Sequence, residues 1–356
     1  MAVDTKILNF PLHNIIFSQL YFLSDNLKNY LLYYFCFSLI LPYIFYLCLL
    51  ERFKEINKPL LIILSSIIYI FPVFQYSAIW GSSHISSLFF FLLGILFHIK
   101  FKISEFKKIN YVILSIVFLA VASYIKQYYV FFFFFIFLEF FFRLNFKFFI
   151  TISLFTILLG IPGLLFLLNN PLLFLGYKRE ITNFGSSVLI SSSICFFYML
   201  PFIIQYYLNN NFVKNFKIKN HIKYKSLILS LIIFFICISF FTYDGKIGGG
   251  SIYKLFYNIL NQKILFFIFS FLGIYFLFFF TKNNIQSYFL SFLLICLFST
   301  GYYIFQKYFE PMFLMIFLLY FEKIKIVKFL EKNNYILISY FLIYYLVSNY
   351  IYFFGV

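Results

Sequence analysis

A nearly continuous apolar run from Tyr111 to Phe142 constrains the fold of this chain more than any other stretch. The run is about 32 residues long and holds two charged residues, Lys126 and Glu139. Because a bilayer-spanning helix needs about 20 apolar residues, the run is long for one span and just long enough for two short ones. A single helix would place Lys126 deep in the hydrocarbon, at a cost of about 2.5–3.5 kcal/mol. We therefore predict two short helices that meet at Lys126 and Gln127.

Composition extends this prediction to the whole chain. Only 11% of the residues are charged and 64% are hydrophobic, whereas a soluble domain has about 25% charged residues. The sequence thus predicts an all-α, polytopic integral membrane protein with about twelve transmembrane helices. The predicted spans cover residues 31–50, 60–75, 85–99, 111–124, 129–142, 148–168, 187–206, 226–242, 264–281, 287–303, 308–321 and 335–353. We predict a single transmembrane domain over 1–356, with an outer-face N-terminal segment (1–30) and a helical bundle (31–353).

The distribution of basic residues predicts the orientation. The formal net charge is +17, but most Lys and Arg lie in short clusters between apolar runs, which is typical of cytoplasmic loops rather than of nucleic-acid binding. If the 51–59 loop lies in the cytoplasm and successive loops alternate between the two sides of the membrane, most basic residues lie in cytoplasmic loops, including the cluster from Lys214 to Lys225. Merging 111–142 into one helix would move that cluster outside, so the charge pattern favours the break. Both termini are then expected outside the cytoplasm, and the expected location is a bacterial inner membrane.

Lys126 and Gln127 are the first candidates for chemistry. At the outer end of two short helices, a cation and an amide can bind the phosphate of a lipid carrier, because Lys is a compact point charge. Tyr128, a further candidate for the donor site, and Tyr129 follow directly, and we expect the position to be recessed. The structural alternative is that Lys126 extends to the lipid headgroups and does nothing more.

Three carboxylates on the predicted outer face are candidates for a general base, which takes a proton from an acceptor hydroxyl. Asp244 lies near three glycines, 248–250, whose backbone N–H groups can approach a ligand closely in a flexible loop. Glu310 is expected at the mouth of a cavity, and Asp4 lies in the N-terminal segment. The structural alternatives are a loosely constrained loop, a pair between Glu310 and Lys307 at a helix start, and a poorly ordered terminus.

Two more side chains on the predicted outer face are suited to a sugar or a pyrophosphate. His84 can donate a hydrogen bond, and Trp80, the one Trp of the chain, can stack on a sugar ring. The structural alternatives are a helix-start residue beside Ser82 and Ser83, and an aromatic residue of the membrane interface.

Glu139 is predicted to form a structural pair with Arg143, four residues further along the same helix. The sequence contains no phosphate-binding glycine-rich loop, zinc pattern or nucleophile elbow. No cofactor and no metal site are predicted, although the sequence leaves room for a divalent metal.

Together these features resemble the polytopic glycosyltransferases of the GT-C superfamily, which use polyprenyl-phosphate sugars on the outer face of the membrane. The segments 71–93 and 122–130 are similar to the dolichyl-phosphate-glucose glucosyltransferase branch. That branch carries a Phe-Pro helix start, a polar turn after aromatic residues, and an Arg-Gln pair after a short helix. Here the start is Phe71-Pro72 and the pair is Lys126-Gln127, which keeps the cation and loses the guanidinium fork.

The resemblance implies transfer of a sugar from a polyprenyl-phosphate donor to a lipid-linked or cell-envelope glycan acceptor, within membrane lipids. It implies that Lys126 and Gln127 hold the donor phosphate and that an outer carboxylate activates the acceptor. The family begins with a transmembrane helix and an outer loop with an acidic pair. We therefore expect that this chain either lacks that first helix or uses Asp4 as the acid.

Two other functions stay open at this point. A transporter or flippase of lipid-linked saccharide would also use about twelve spans, but it predicts more charge near the bilayer midplane and an internal repeat. An O-antigen-type polymerase shares the outer-face chemistry, but it predicts one large outer loop rich in Arg, whereas Arg179 is the one Arg assigned to the outside.

Overall fold

The computed structural model describes residues 11–22, 24, 26–169, 184–209, 223–243, 248–282, 284–298, 304–330 and 335–354. Within these ranges the chain is helical and contains no strand, as predicted for an all-α protein. Two candidate carboxylates, Asp4 and Asp244, lie outside the described residues, as does most of the cluster from Lys214 to Lys225.

The described residues divide into two compact units. Unit 1 contains the described residues of Met1–Lys54, Leu61–Tyr69 and Phe74–Lys178. Unit 2 contains the described residues of Glu55–Leu60, Ile70–Val73 and Arg179–Val356. The helices up to residue 169 are α1 (Leu12–Phe22), α2 (Leu27–Ser38), α3 (Ile40–Arg52), α4 (Lys58–Ser66), α5 (Pro72–Ile79), α6 (Ser83–Ile103), α7 (Ile109–Ile125), α8 (Tyr129–Arg143) and α9 (Phe146–Asn169). A 3-10 helix, Ile67–Ile70, follows α4, and both α4 and α5 are divided between the units.

Close packing of α6 on α7 forms the centre of unit 1. A Cβ atom added to Gly94 of α6 would lie 2.6 Å from Cγ of Leu119 on α7. The hydroxyl of Ser115 on α7 donates to the Gly94 carbonyl at 2.9 Å. Small residues at the crossing let two apolar helices approach closely and satisfy a polar group internally, as is common where helices pack in membranes.

The break between α7 and α8 confirms the prediction of two helices in the 111–142 run. α7 ends at Ile125 and α8 begins at Tyr129, with Lys126 in an extended conformation (φ −136°, ψ 113°). The Tyr129 N–H donates to the Lys126 carbonyl at 3.1 Å, which closes the turn between the helices.

The predicted pair between Glu139 and Arg143 is wrong. Oε2 of Glu139 lies 2.8 Å from Nζ of Lys102 and 3.2 Å from Nε2 of His98, both on α6. Arg143 instead lies over the ring of Phe106, 5.0 Å from its centroid. The face of α8 that carries Glu139 packs on α6, where Lys102 and His98 provide partners that the spacing within α8 does not reveal.

Unit 2 is built around the longest described helix. Its α-helices are α10 (Phe184–Asn209), α11 (Tyr224–Ser239), α12 (Lys263–Phe279), α13 (Ile285–Cys296), α14 (Met312–Tyr320), α15 (Lys323–Leu330) and α16 (Tyr335–Phe354). A short helix, Gly250–Ile252, lies between α11 and α12 and continues as the π-helix Tyr253–Ile259, and a 3-10 helix, Gln306–Tyr308, precedes α14. A Cβ atom on Gly273 of α12 would lie 2.0 Å from the Ser192 carbonyl of α10. Only a glycine allows these two helices to approach so closely.

Among the residues that the structure describes, four helical segments are long and apolar enough to cross a bilayer, judged by length and composition: Leu27–Arg52, Ser83–Ile103, Phe146–Asn169 and Phe184–Leu208. The segments Lys58–Ile70 and Pro72–Ile79, bent by 65°, form a fifth if they are one span. These helices fit a membrane protein, but the predicted count of about twelve spans is not confirmed. Shorter apolar helices of 10–17 residues account for much of the difference: Ile109–Ile125, Tyr224–Ser239, Lys263–Phe279, Ile285–Cys296 and Tyr335–Tyr350.

Candidate functional site

The start of α6 gathers polar side chains within unit 1. Ser82 is the N-cap, and its hydroxyl accepts a hydrogen bond from the His84 N–H at 3.4 Å. Gly81, directly before it, has φ +62°, a left-handed conformation that glycine adopts without strain. Because α6 has 21 residues, the positive end of its backbone dipole lies at this turn.

Side chains from α1 and α2 hold this turn in place. Nδ1 of His13 on α1 lies 2.8 Å from the hydroxyl of Ser86. The hydroxyl of Tyr34 on α2 donates to the Ser82 carbonyl at 2.5 Å. Both His13 and Tyr34 are buried, so these contacts fix the start of α6 from the interior of the unit.

The turn between α7 and α8 brings further groups to the same place. The Tyr128 hydroxyl lies 3.2 Å from Nδ1 of His84. Lys126, which is half-buried, lies near enough to His13 for its positive charge to disfavour a charged imidazole there. We call this group the α6 polar cluster, and it consists of His13, Tyr34, Ser82, His84, Ser86, Lys126 and Tyr128.

The charge of the α6 polar cluster follows from burial. Burial is the main cause that lowers the pKa of His13 to about 4; the charge of Lys126 adds to it, and a hydrogen bond with the Gly81 backbone opposes it. His13 is therefore neutral at pH 7, while Lys126 supplies a positive charge. A cation beside neutral hydrogen-bonding groups and a helix N-terminus is chemically suited to a phosphate or another anion.

Three of the five residues predicted to bind a donor meet in this cluster: Lys126, His84 and Tyr128. Gln127 is exposed, and Trp80 is 62% exposed, with its ring 6.3 Å from that of Tyr76, as expected of an interfacial aromatic residue.

Sequence reasoning missed Tyr34 and Ser86, which lie on different helices. Their hydroxyls are not distinguishable from the many other Tyr and Ser residues of the chain. A signal for the location was present, because Ser82 and Ser83 directly precede a long apolar run and Ser is a preferred N-cap.

A second polar network, in unit 2, surrounds Glu310. Glu310 is only 1% exposed. Its Oε2 accepts hydrogen bonds from the hydroxyls of Tyr198 on α10, at 2.8 Å, and Tyr344 on α16, at 2.7 Å. Its Oε1 accepts one from the backbone N–H of Val73, at 3.0 Å. Three donors from three parts of the chain therefore converge on one carboxyl group.

Gln306 extends this network. Its Nε2 donates to the hydroxyl oxygens of Tyr198 and Tyr344, both at 3.1 Å. Its Oε1 accepts hydrogen bonds from the N–H and the hydroxyl of Ser251, at 2.8 and 2.6 Å. We call Glu310, Tyr198, Tyr344, Gln306 and Ser251 the Glu310 network.

The structure corrects both interpretations of Glu310. It does not lie at an open cavity mouth, because it is buried, and the expected pair with Lys307 does not form. Lys307 instead lies over the ring of Phe305, 4.8 Å from its centroid.

The three glycines near Asp244 form a packed turn rather than a flexible loop. Gly248, Gly249 and Gly250 are buried and all have positive φ, between +73° and +84°. The Gly249 N–H donates to the Ile304 carbonyl at 2.8 Å, and a Cβ atom on Gly249 would lie 2.3 Å from the ring of Tyr253. At these positions glycine allows the positive φ angles of the turn. The turn in this conformation places Ser251 beside Gln306.

Within the described ranges, no three His, Cys, Asp or Glu side chains gather in a way that could hold a metal ion. Comparison of the chain with protein-family models, with curated proteins and with solved structures finds no match.

Proposed function

We propose that this chain is a membrane glycosyltransferase that moves a sugar from a polyprenyl-phosphate donor to a lipid-linked or cell-envelope acceptor. The observation that carries the proposal is the α6 polar cluster. A half-buried Lys, a neutral His13, the His84 and Tyr128 side chains and the start of a long apolar helix lie together in a chain whose helices fit a membrane. A phosphate attached to a lipid has both properties that this setting selects, a negative charge and an apolar tail.

In this proposal Lys126 holds the donor phosphate, and the His84 imidazole and Tyr128 hydroxyl orient it by hydrogen bonds. Gln127 and Trp80, which are exposed, contact the donor at its periphery. Following the sequence, we place the cluster on the outer face of a bacterial inner membrane, in a bundle of about twelve spans.

Glu310 is not suited to the role of general base. A base must reach the hydroxyl of the acceptor, whereas Glu310 is buried and both of its oxygens already accept hydrogen bonds. The base in this proposal is Asp4 or Asp244, both outside the described residues.

The direct test is a transfer reaction. The purified full chain is reconstituted into vesicles that contain a polyprenyl-phosphate hexose labelled in the sugar, and membrane extract supplies the acceptor. The proposal expects label on the acceptor together with release of unlabelled polyprenyl phosphate. It expects a loss of at least about tenfold in initial rate for Lys126→Gln, because a charge-assisted hydrogen bond to the phosphate is removed. Unchanged donor in every reaction would contradict the proposal.

A second candidate function, a carrier of lipid-linked saccharide, is favoured by a different observation. The helical segments Lys58–Ile70 and Pro72–Ile79 meet at a 65° bend, and discontinuous helices are common at the substrate sites of transporters. The buried Glu310, held by neutral donors, is an acid of the kind that couples protons to transport. In the same vesicles, this function predicts intact donor that moves from one leaflet to the other.

A further inference from the structure

Unit 2 carries an apolar groove of about 400 Å³ between α11 and α12. One wall consists of Leu231, Phe234, Phe235 and Ile238, which are spaced i, i+3, i+4 and i+7 and therefore lie on one face of α11. This face is not fully packed, because Phe235 is 64% exposed. The groove thus runs along the outside of the helix.

The opposite wall repeats this spacing on α12, with Ile264, Phe267, Ile268 and Phe271. The ring centroids of Phe234 and Phe271 lie 5.5 Å apart, so the two walls meet at that point. Seven residues of helix advance about 10 Å, which gives the groove its approximate length. All eight lining residues are apolar, so the groove suits an alkyl chain and offers nothing to an occupant that needs hydrogen bonds along its length.

A positive charge lies at one end of the groove. Lys263 is the first residue of α12, directly before the lining residue Ile264, and it is exposed. Its Nζ lies 5.0 Å from the centroid of the Tyr257 ring. A Tyr beside a Lys at a helix end is typical of the membrane interface, and a basic residue there attracts an anionic headgroup.

We propose that this groove binds an anionic two-chain phospholipid of the surrounding bilayer. One acyl chain lies between α11 and α12, and the phosphate lies at Lys263. The lipid fills a gap between two apolar helices that would otherwise lose packing contacts. Because its headgroup reaches Lys263, the site selects anionic over zwitterionic lipids, independently of the proposed glycosyl transfer.

The test uses a tryptophan reporter in the full chain. Trp80→Phe removes the one native Trp, and Phe267→Trp places a reporter in the groove. The protein is reconstituted into phosphatidylcholine vesicles that contain equal small fractions of dibrominated phosphatidylglycerol or dibrominated phosphatidylcholine. We expect brominated phosphatidylglycerol to quench the reporter with about fivefold higher apparent affinity, the effect of one Lys near an anionic headgroup.

Two variants make the test decisive. Adding Lys263→Gln should remove the preference and leave quenching by the zwitterionic lipid unchanged. A matched reporter, Leu158→Trp on α9, where Leu158 is 63% exposed and no charged residue lies within ten positions, should be quenched equally by both lipids. Equal quenching at position 267, or a preference that survives Lys263→Gln, would overturn the proposal. So would quenching that is relieved by equimolar polyprenyl phosphate but not by unbrominated phosphatidylglycerol, because the groove would then belong to a carrier lipid.

Discussion

Glu139 in unit 1 and Glu310 in unit 2 are both buried acids, but different chemistry holds each in place. Glu139 lies within 2.8 Å of Lys102 and 3.2 Å of His98, so a cation faces its charge. Glu310 is held by two Tyr hydroxyls and one backbone N–H.

The difference shows what each acid is suited to do. Pairing with Lys102, which is 35% exposed, ties α8 to α6 and keeps the charge of Glu139 compensated, which is a structural role. Three neutral donors fix the position of Glu310, and the described contacts place no cation against its carboxyl group. Glu310 is therefore held by hydrogen bonds alone, and Glu139 is held by an ion pair that joins two helices.

The largest effect is expected from removing the Glu310 carboxyl group. Glu310→Ala leaves two hydroxyls and the Val73 N–H without their acceptor, and each buried unpaired donor costs about 1–3 kcal/mol. We expect the free energy of unfolding in detergent to fall by about 3 kcal/mol or more. Glu310→Gln keeps one acceptor oxygen and should lose no more than half as much. A Glu310→Ala variant as stable as the wild type would show that the network carries no stability.

A smaller loss is expected at Glu139. Glu139→Gln leaves Lys102 without its counter-charge, and breaking a fully buried pair costs about 3–5 kcal/mol. Because Lys102 is partly exposed and can extend to water, we expect about 2 kcal/mol. A double-mutant cycle with Lys102→Met measures the pair itself. If the stability losses of the two single variants add up to that of the double variant, Glu139 and Lys102 do not stabilise each other, and Glu139 then differs from Glu310 in no energetic way.

His13 should give a pH dependence that neither acid explains. Its pKa is about 4 in the folded protein, against an ordinary value of 6.5, so the unfolded chain binds more protons between these values. Stability should therefore fall as the pH falls from about 6.5 towards 4, by an amount of order 1 kcal/mol. His13→Asn should lack this component in thermal unfolding measured from pH 7.5 to 4.5. Parallel curves for the two proteins would place His13 in a solvated environment instead.

The smallest effect concerns one donor to Glu310. Tyr344→Phe removes the hydrogen bond to Glu310 and the one accepted from Gln306, which keeps Tyr198 as an acceptor; hydrogen bonds between helices average about 0.6 kcal/mol in a membrane protein. Tyr198 and Val73 still hold the carboxyl group, so we expect a loss near that value. Tyr335→Phe, at a side chain that is 79% exposed, is the matched control and should change nothing. A loss above about 2 kcal/mol would mean that the network acts as one unit.

Local patterns predicted the helices better than they predicted the partners. The all-α class followed from hydropathy, and the break at Lys126 followed from hydropathy together with the distribution of basic residues among the loops, because both can be read along the chain without knowledge of tertiary contacts. The partner of Glu139 did not follow from the sequence. The spacing to Arg143 fits the rule for ion pairs within an isolated helix, but tertiary packing places Lys102 and His98 beside Glu139 instead.

The Glu310 network lay beyond the sequence for the same reason. Tyr198 and Tyr344 are two of 32 Tyr residues, and only the packing of α10 and α16 on the turn at Glu310 selects them. The glycines 248–250 signalled an unusual backbone, but not whether it serves a ligand or a packed turn.

The central claim is that the α6 polar cluster binds the phosphate of a lipid donor. Isothermal titration of the detergent-solubilised protein with a short polyprenyl phosphate tests it most directly. We compare the wild type with Lys126→Gln and with Lys108→Gln, a change at an exposed Lys next to the start of α7. The account predicts binding about tenfold weaker or more for Lys126→Gln, through loss of a charge-assisted contact, and unchanged binding for Lys108→Gln. Equal affinity in all three proteins would contradict it.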